Sequence, residues 1–295
     1  MRMTRRRKGF TLIELLVVVA IIALLISILL PSLRDAKEQA KIAKCLSNFK
    51  NLMTTTLMYF NDYNDAFPFQ VRASGGYLGI CTWSYGGKTS SDYWKDEDDA
   101  APVFYIPAQE RPFNEYLMGG AIEPDLMEGD TIIKRTEIQV LECPSDRQSY
   151  QRVYDMMDTE GEQISAYDDI GTSYHYNLHA ISDTNIDPWA GGGAGWIALG
   201  RALVKDTLGG QVGTLTMFFE DPMDYAMNNL TNEVGNHGKY NKHSAGFLDG
   251  HADYGTKDTS RWCGVGWATI NPNWVYKTGS KKPIYYTVAN KNCNP

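Results

Sequence analysis

Three histidines and an aspartate lie close together near the end of the chain: His237, His243, Asp249 and His251. Imidazole nitrogens and carboxylate oxygens are ligands that transition metals accept. With Glu220 as a further carboxylate, these side chains could hold a metal ion. The pattern is compatible with a membrane-anchored binding or hydrolytic domain, which is one of two functional hypotheses.

Several features of the sequence argue against that hypothesis. The histidines do not follow the His-Glu-x-x-His spacing of zinc proteases, and no Gly-x-Ser-x-Gly motif marks a nucleophile. Lys239 and Lys242 lie beside the first two histidines, and nearby positive charge opposes cation binding. We therefore expect no enzymatic activity, no cofactor and no bound metal. Asp249 and Gly250 instead suit the turn of a β-hairpin.

A long apolar segment, Leu12–Leu30, occupies the other end of the chain and is interrupted at Glu14 and Ser27 alone. At about 1.5 Å per helical residue it is long enough to cross a hydrocarbon core of ~30 Å. It is too long for a secretory signal peptide, and no small-residue cleavage site closes it. Four arginines and Lys8 precede it, which predicts one pass of the inner membrane, a cytoplasmic N-terminus and an exported remainder.

Glu14 is the anomaly within this segment. A carboxylate inside a membrane costs about 2.5–3.5 kcal/mol on insertion scales, and such a charge normally finds a cation. Glu14 either reaches the head groups at the membrane edge or pairs with a positive charge from another chain. The residues around Glu14 favour the second alternative.

Those residues read Arg-Lys-Gly-Phe-Thr-Leu-Ile-Glu and continue into the apolar segment, with Pro31 at its far end. This pattern resembles the processing site of type IV prepilins and type II secretion pseudopilins. The resemblance implies that a prepilin peptidase and methyltransferase cleaves between Gly9 and Phe10 and methylates the new terminus at Phe10. It also implies that Glu14 pairs with that terminus in a neighbouring pilin or pseudopilin subunit of a filament.

Beyond Pro31, apolar residues recur three or four positions apart, which predicts an amphipathic helix. We expect one helix over about 11–63, with a kink at Pro31 and an apolar stripe under a sheet. The predicted organisation is a leader at 1–9, a transmembrane helix at 10–30, its amphipathic continuation at 31–63 and a head at 64–295. The predicted stripe comprises Ile42, Leu46, Phe49, Met53, Leu57 and Phe60.

The resemblance implies an α+β, pilin-like fold: a long N-terminal transmembrane helix packed on an antiparallel β-sheet head with loop-rich insertions. Alternating residues predict strands over 131–142, 174–177 and 215–221 and a hairpin over 246–254. In the hairpin we expect Phe247 to face the helix stripe and Leu248 to face the opposite side or a neighbouring loop. We expect His251 to bond back to Asp249.

The head also resembles those of pseudopilin-like proteins from planctomycete-type bacteria. The features that carry this resemblance are Cys143-Pro144 and Asp249-Gly250, where the relatives have a histidine nine residues before the Asp-Gly pair. Here His237 lies twelve positions before Asp249 and His243 lies six before it, so both are candidates for the equivalent histidine. We expect both histidines to lie in a loop.

Five cysteines, none with Cys-x-x-Cys spacing, suggest disulfides in an exported head. By analogy with the stapled C-termini of pilins, Cys263 is expected to pair with Cys293. Cys45 is expected to pair with Cys143, which leaves Cys81 over. The alternative is five unpaired thiols.

The net charge of −7 gives no basic face for nucleic acid. The leading hypothesis is a structural, minor pseudopilin or pilin-like subunit, assembled into a type II secretion or type IV pilus-like filament. The large head favours a minor rather than a major subunit.

Overall fold

The computed structural model describes residues 11–68, 72–74, 77–79, 81–95, 104–129, 131–154, 164–178, 212–229, 231–260, 263–264 and 266–269. The chain forms two compact units, residues 1–41 and 42–295. The helices are α1 (Leu12–Tyr63), α2 (Asn114–Met118), α3 (Gln151–Tyr154), α4 (Ala166–Asp169) and α5 (Asp221–Asn229). The strands are β1 (Arg72–Ser74), β2 (Tyr77–Gly79), β3 (Leu126–Glu128), β4 (Thr131–Lys134), β5 (Tyr174–Tyr176), β6 (Thr216–Glu220), β7 (Lys242–Phe247), β8 (Ala252–Thr256), β9 (Cys263–Gly264) and β10 (Trp267–Ala268).

Helix α1 is continuous through Pro31, which confirms the predicted helix to within a residue at its start. A proline inside a helix removes one backbone hydrogen bond, but the neighbouring turns maintain the helix here. The helix ends where Asn64 and Asp65 adopt positive φ angles of 53° and 58°. Asparagine and aspartate tolerate this left-handed conformation better than other residues with side chains.

The buried face of α1 in the second unit differs from the predicted stripe. Leu57 is exposed and Leu46 is half-buried, whereas polar Asn48 and Thr56 are completely buried. Hydrogen bonds make this burial possible, because the Asn48 amide donates to the Glu142 carbonyl and to the Tyr174 hydroxyl. The buried positions are Ile42, Cys45, Asn48, Phe49, Leu52, Met53, Thr55, Thr56 and Phe60.

The central sheet of the head is antiparallel and has the strand order β5-β6-β7-β8. One face packs on α1, and the rings of Phe49 and Tyr174 lie 4.5 Å apart there. Gly246 of β7 allows this approach, since a Cβ atom at that position would lie 3.2 Å from Cβ of Phe49. The predicted strands over 174–177 and 215–221 and the 246–254 hairpin are confirmed, with small shifts at their ends.

Helix α5 covers the opposite face of the sheet, and this reverses one prediction about the hairpin. Phe247 packs with Phe219, Met223 and Met227 on the α5 side. Leu248 instead belongs to the core cluster that contains α1. The expectation that Phe247 faces the long helix was therefore wrong. Both faces of the sheet are buried, and the aromatic side chain of Phe247 packs against α5.

The predicted strand over 131–142 is correct only for its first four residues. Strand β4 pairs with β3 in an exposed hairpin, and the chain then leaves the sheet pattern. Two backbone N–H groups that a longer strand would use donate to side chains instead: Thr136 N to Asp125 at 2.8 Å and Ile138 N to the Tyr167 hydroxyl at 2.8 Å. A 3-10 turn at Gln139–Leu141 follows.

Candidate functional site: the N-terminal apolar helix and a buried head cluster

The first part of α1 presents apolar side chains on all sides. Leu12 is 78% exposed and Leu33 is 65% exposed, with the aliphatic residues between them similarly uncovered. None of the residues in the most apolar part of α1 is buried by the described part of the chain. A contiguous apolar surface of this size marks a membrane or protein interface. The helix is therefore long and apolar enough to span a membrane.

A capping box begins this helix. The Thr11 hydroxyl accepts a hydrogen bond from the Glu14 backbone N–H at 3.3 Å, and the Glu14 carboxylate accepts one from the Thr11 backbone N–H at 2.8 Å. The same carboxylate oxygen also accepts a hydrogen bond from the Thr11 hydroxyl at 2.8 Å. This reciprocal arrangement satisfies two N-terminal donors and holds the carboxylate at the start of the apolar helix. The Thr-x-x-Glu spacing is a sequence signal for Thr11 that the prediction did not use.

Two cysteines and a histidine converge inside the head. Cys45 of α1 and Cys143 have their Sγ atoms 2.8 Å apart, and Nε2 of His237 lies 3.9 Å from the Cys143 sulfur. All three are buried, and the two thiols are free. The hydrogen bond with Cys143, supported by His237, lowers the pKa of the Cys45 thiol to about 6 against the effect of burial. Burial raises the pKa of Cys143.

A tight turn positions Cys143. The Asp146 backbone N–H donates to the Cys143 carbonyl at 2.9 Å, with Pro144 inside the turn. Ser173 joins the two ends, because its hydroxyl accepts from the Cys143 N–H at 2.9 Å and donates to the Asp146 carboxylate at 2.6 Å. Proline favours the φ angle that this turn requires. The Cys-Pro element therefore presents the thiol towards α1.

The loop before β7 positions His237. A hydrogen bond from Gly238 N to the Gly235 carbonyl at 2.9 Å closes the backbone turn of this loop. The Glu220 carboxylate accepts a hydrogen bond from the Asn236 N–H at 3.3 Å. The His237 ring also packs edge-on against Tyr254 at 5.3 Å. Sequence reasoning did not associate this histidine with the cysteines.

The other residues of the 237–251 segment do not join the cluster. His243 lies in β7 rather than in a loop, completely buried, with Nδ1 2.9 Å from Glu220. Asp249 and His251 are exposed at the hairpin turn and bond to each other at 2.5 Å, as predicted. In the part of the chain that the structure describes, the one group of three or more candidate metal ligands that converge is Cys45, Cys143 and His237. The four-residue metal site considered from the sequence is therefore not assembled.

Gly250 fits the turn prediction, since its φ angle is +91° and its N–H donates to the Phe247 carbonyl at 2.8 Å.

A second buried polar network surrounds His175 of β5. Nε2 lies 2.7 Å from Asp221, Nδ1 lies 2.6 Å from the Thr82 hydroxyl, and Asp224 is 3.6 Å away. Burial opposes protonation of this histidine, but the carboxylates of Asp224 and Asp221 outweigh it and raise its pKa. Thr82 and His175 are far in sequence from each other and from the two aspartates. No local spacing therefore predicts this network.

Asp146 should make the stability of the head depend on pH. Burial raises the pKa of its carboxyl from 3.8 to about 7, despite hydrogen bonds from Ser173, Tyr167 and Ala166. The folded state then holds a proton that the unfolded state releases, so the free energy of unfolding falls as the pH rises from about 4 to about 7. The contribution is roughly 4 kcal/mol over that interval, at about 1.4 kcal/mol per pKa unit.

Denaturant unfolding of the full chain in detergent, at several pH values, measures this effect. Asp146→Asn should flatten the curve, although the lost hydrogen bonds lower stability at every pH. Curves of the variant and the parent protein that run parallel from about pH 4 to 7 would contradict the assignment.

Several predicted sites lie outside the described residues. Gly9, Phe10 and Cys293 are among them, and for Cys263 the description covers the backbone alone. The cleavage site and the pairing of Cys263 with Cys293 therefore stay predictions. Cys45 and Cys143 are described, with their thiol sulfurs 2.8 Å apart, and a disulfide between them also stays a prediction.

A family model described as the prokaryotic N-terminal methylation motif matches residues 4–30. The chain carries this motif. It joins the basic leader to the apolar, capped start of α1, and it includes both residues of the expected cleavage site.

The chain is also similar, over part of its length, to curated proteins. Type II secretion system core protein G of Dickeya chrysanthemi is 39% identical over 25% of this chain and 47% of its own length. The protein of the same name from Pseudomonas aeruginosa is 29% identical over 39% of this chain and 84% of its own length. Type IV wide pilus major component PilA4 of Thermus thermophilus is 42% identical over 20% of this chain and 46% of its own length.

The similarity thus spans about half the length of the first of these relatives. No solved structure matches the chain.

Proposed function

We propose that this protein is a minor pilin-like or pseudopilin subunit that is processed by a prepilin peptidase and assembled into a type II secretion or type IV pilus-like filament. The observation that carries the proposal is the methylation motif at residues 4–30, which extends into the exposed apolar part of α1. The similar proteins from secretion systems and pili support the same role. A structural role also agrees with the division of the chain into an apolar helical segment and a larger head.

In this proposal the leader, residues 1–9, stays in the cytoplasm and α1 crosses the inner membrane once. Five positive charges precede the apolar segment, which favours this orientation. The head is then periplasmic or extracellular. Cleavage after Gly9 releases a new, methylated amino terminus at Phe10, and the subunit leaves the membrane when it enters the filament.

Glu14 makes assembly specific. Its carboxylate is held at the first turn of the helix by Thr11 and so lies close to the terminus that cleavage creates. When apolar helices pack side by side, an unpaired carboxylate among them is unfavourable, and the amino terminus of an adjacent subunit supplies the missing cation. The exposed aliphatic side chains of α1 supply the contact area.

Cleavage can be tested directly with the full chain. Produced together with an active prepilin peptidase, the chain should lose nine residues and gain one methyl group, whereas a catalytically inactive peptidase should leave it intact. Gly9→Val should block cleavage, because a peptidase that approaches the backbone closely has no room for a side chain there. Thr4→Val, within the same leader, is the matched control and should be cleaved normally.

Equal masses with the active and the inactive peptidase would refute the proposed processing. Normal cleavage of the Gly9 variant would refute the site.

A further inference from the structure

We propose that the reduced chain binds one Zn²⁺ ion between Cys45, Cys143 and His237, in the core of the head. The three ligands come from three separate elements: α1, the Cys-Pro turn and the loop before β7. This site plays no part in the proposed assembly through α1, and it would stand if that proposal failed.

The geometry suits a zinc ion with small adjustments. The three ligand atoms all lie within 4.8 Å of one another, and the Cys143 sulfur is 3.9 Å from the imidazole nitrogen of His237. Zinc binds sulfur at about 2.3 Å and nitrogen at about 2.0 Å, so tetrahedral ligands lie roughly 3.5–3.8 Å apart. The two sulfurs, 2.8 Å apart, must separate by about 1 Å on binding.

Charge balance also favours a divalent ion. Two thiolates cancel the charge of Zn²⁺, and the imidazole binds as a neutral ligand, so the filled site carries no net charge. This matters because Cys45 and Cys143 are buried within the main hydrophobic cluster, where an uncompensated charge would be costly. Soft thiolate ligands select zinc over calcium or magnesium.

Neighbouring groups hold the ligands in place. Asn48, three residues after Cys45 on α1, donates to the Tyr174 hydroxyl at 3.1 Å and to the carbonyl of Glu142, the residue before Cys143, at 2.9 Å. Glu220 accepts from the backbone beside His237 at 3.3 Å. Hydrogen bonds around a metal site orient the side chains that bind the metal. With three protein ligands, a fourth position is left for water or another small ligand.

A disulfide between Cys45 and Cys143 is the competing state of the same two sulfurs. An external two-electron oxidant removes one electron from each thiolate and joins the sulfurs by an S–S bond. The neutral disulfide sulfurs no longer bind zinc as thiolates do, so the two states exclude each other. A disulfide requires the two cysteines alone, whereas metal binding also requires His237. The contribution of the histidine therefore distinguishes the two states.

The test uses the full chain in detergent, reduced with a phosphine, stripped with a chelator and then dialysed against Zn²⁺. We expect one zinc per chain by elemental mass spectrometry. Cys45→Ser, Cys143→Ser and His237→Gln should each weaken zinc binding. The loss of affinity should exceed the ~10–100-fold that follows when a residue hydrogen-bonded to a metal ligand is removed. Two matched controls should bind normally: Cys81→Ser, a buried thiol in a different cluster, and His251→Gln at the hairpin turn.

X-ray absorption of the zinc-loaded parent chain is independent of whether the variants fold, and it should show two sulfur ligands and at least one imidazole. Failure of the reduced chain to retain zinc would overturn the proposal. Loss of zinc binding in both control variants would also overturn it. So would a site with sulfur ligands alone whose zinc affinity does not change in His237→Gln.

Discussion

Glu14→Gln is expected to reduce the amount of protein in filaments by about a hundredfold while membrane insertion and cleavage continue. The substitution removes the charge that, in the proposed assembly, pairs with the amino terminus of the next subunit. Leaving that terminus unpaired among apolar helices costs about 3–5 kcal/mol, and 3 kcal/mol already corresponds to a factor above one hundred. Immunoblotting of sheared filaments and of membranes measures the two pools.

The capping box provides the control for this prediction. Glutamine can still accept the Thr11 N–H, so Glu14→Gln removes the charge and retains the cap. Thr11→Ala does the reverse, and loss of a cap residue costs only about 0.5–2 kcal/mol. We therefore expect the Thr11 variant to assemble far better than the Glu14 variant. Equal assembly of the Glu14 variant and the parent chain would show that no charge pair is needed.

Arg111→Lys is expected to lower the free energy of unfolding by about 3–5 kcal/mol, as for a buried charge that loses its partners. The guanidinium is 1% exposed and donates to the carbonyls of Trp83, Gly86 and Ile170 at 2.8–2.9 Å. It also donates to Ser90 at 2.9 Å. A lysine has three donors on one atom and cannot span these separate loop segments.

Chemical denaturation of the full chain in detergent tests the Arg111 prediction. Arg147→Lys, the same substitution at an exposed position, should change stability by less than about 0.5 kcal/mol. A similar small change at Arg111 would mean that its hydrogen bonds do not hold the loops together.

The sequence predicts the helix and most of the central sheet because their patterns are local. Helix α1 follows from its apolar residues, and the 246–254 hairpin follows from Asp249 and Gly250. The orientation of Phe247 depends instead on α5, which begins at Asp221-Pro222 directly after β6. Proline near a helix start is a recognised signal, but the predicted strand over 215–221 includes Asp221, and no helix is predicted after it. A prediction that lacks α5 gives the sheet a single buried face, the one on α1. It therefore places the large apolar side chain of Phe247 on that face.

The head cluster shows the same division between local and distant information. The sequence predicts a disulfide between Cys45 and Cys143, and the structure places these two sulfurs 2.8 Å apart as thiols. His237 lies 94 positions from Cys143, and no spacing rule relates the two. Their approach depends on the Cys-Pro turn, the Glu220 contact and the packing of α1 against the sheet. Buried Asn48 and Thr56 were missed for a similar reason, because a hydrophobic stripe cannot reveal polar residues that find hydrogen-bond partners in the core.

The most direct test of the account is the intact mass of the native protein recovered from sheared filaments. We expect this chain to begin at Phe10, to lack residues 1–9 and to carry one methyl group on its amino terminus. A chain that still begins at Met1 and is found in the membrane fraction, with none in filaments, would contradict it.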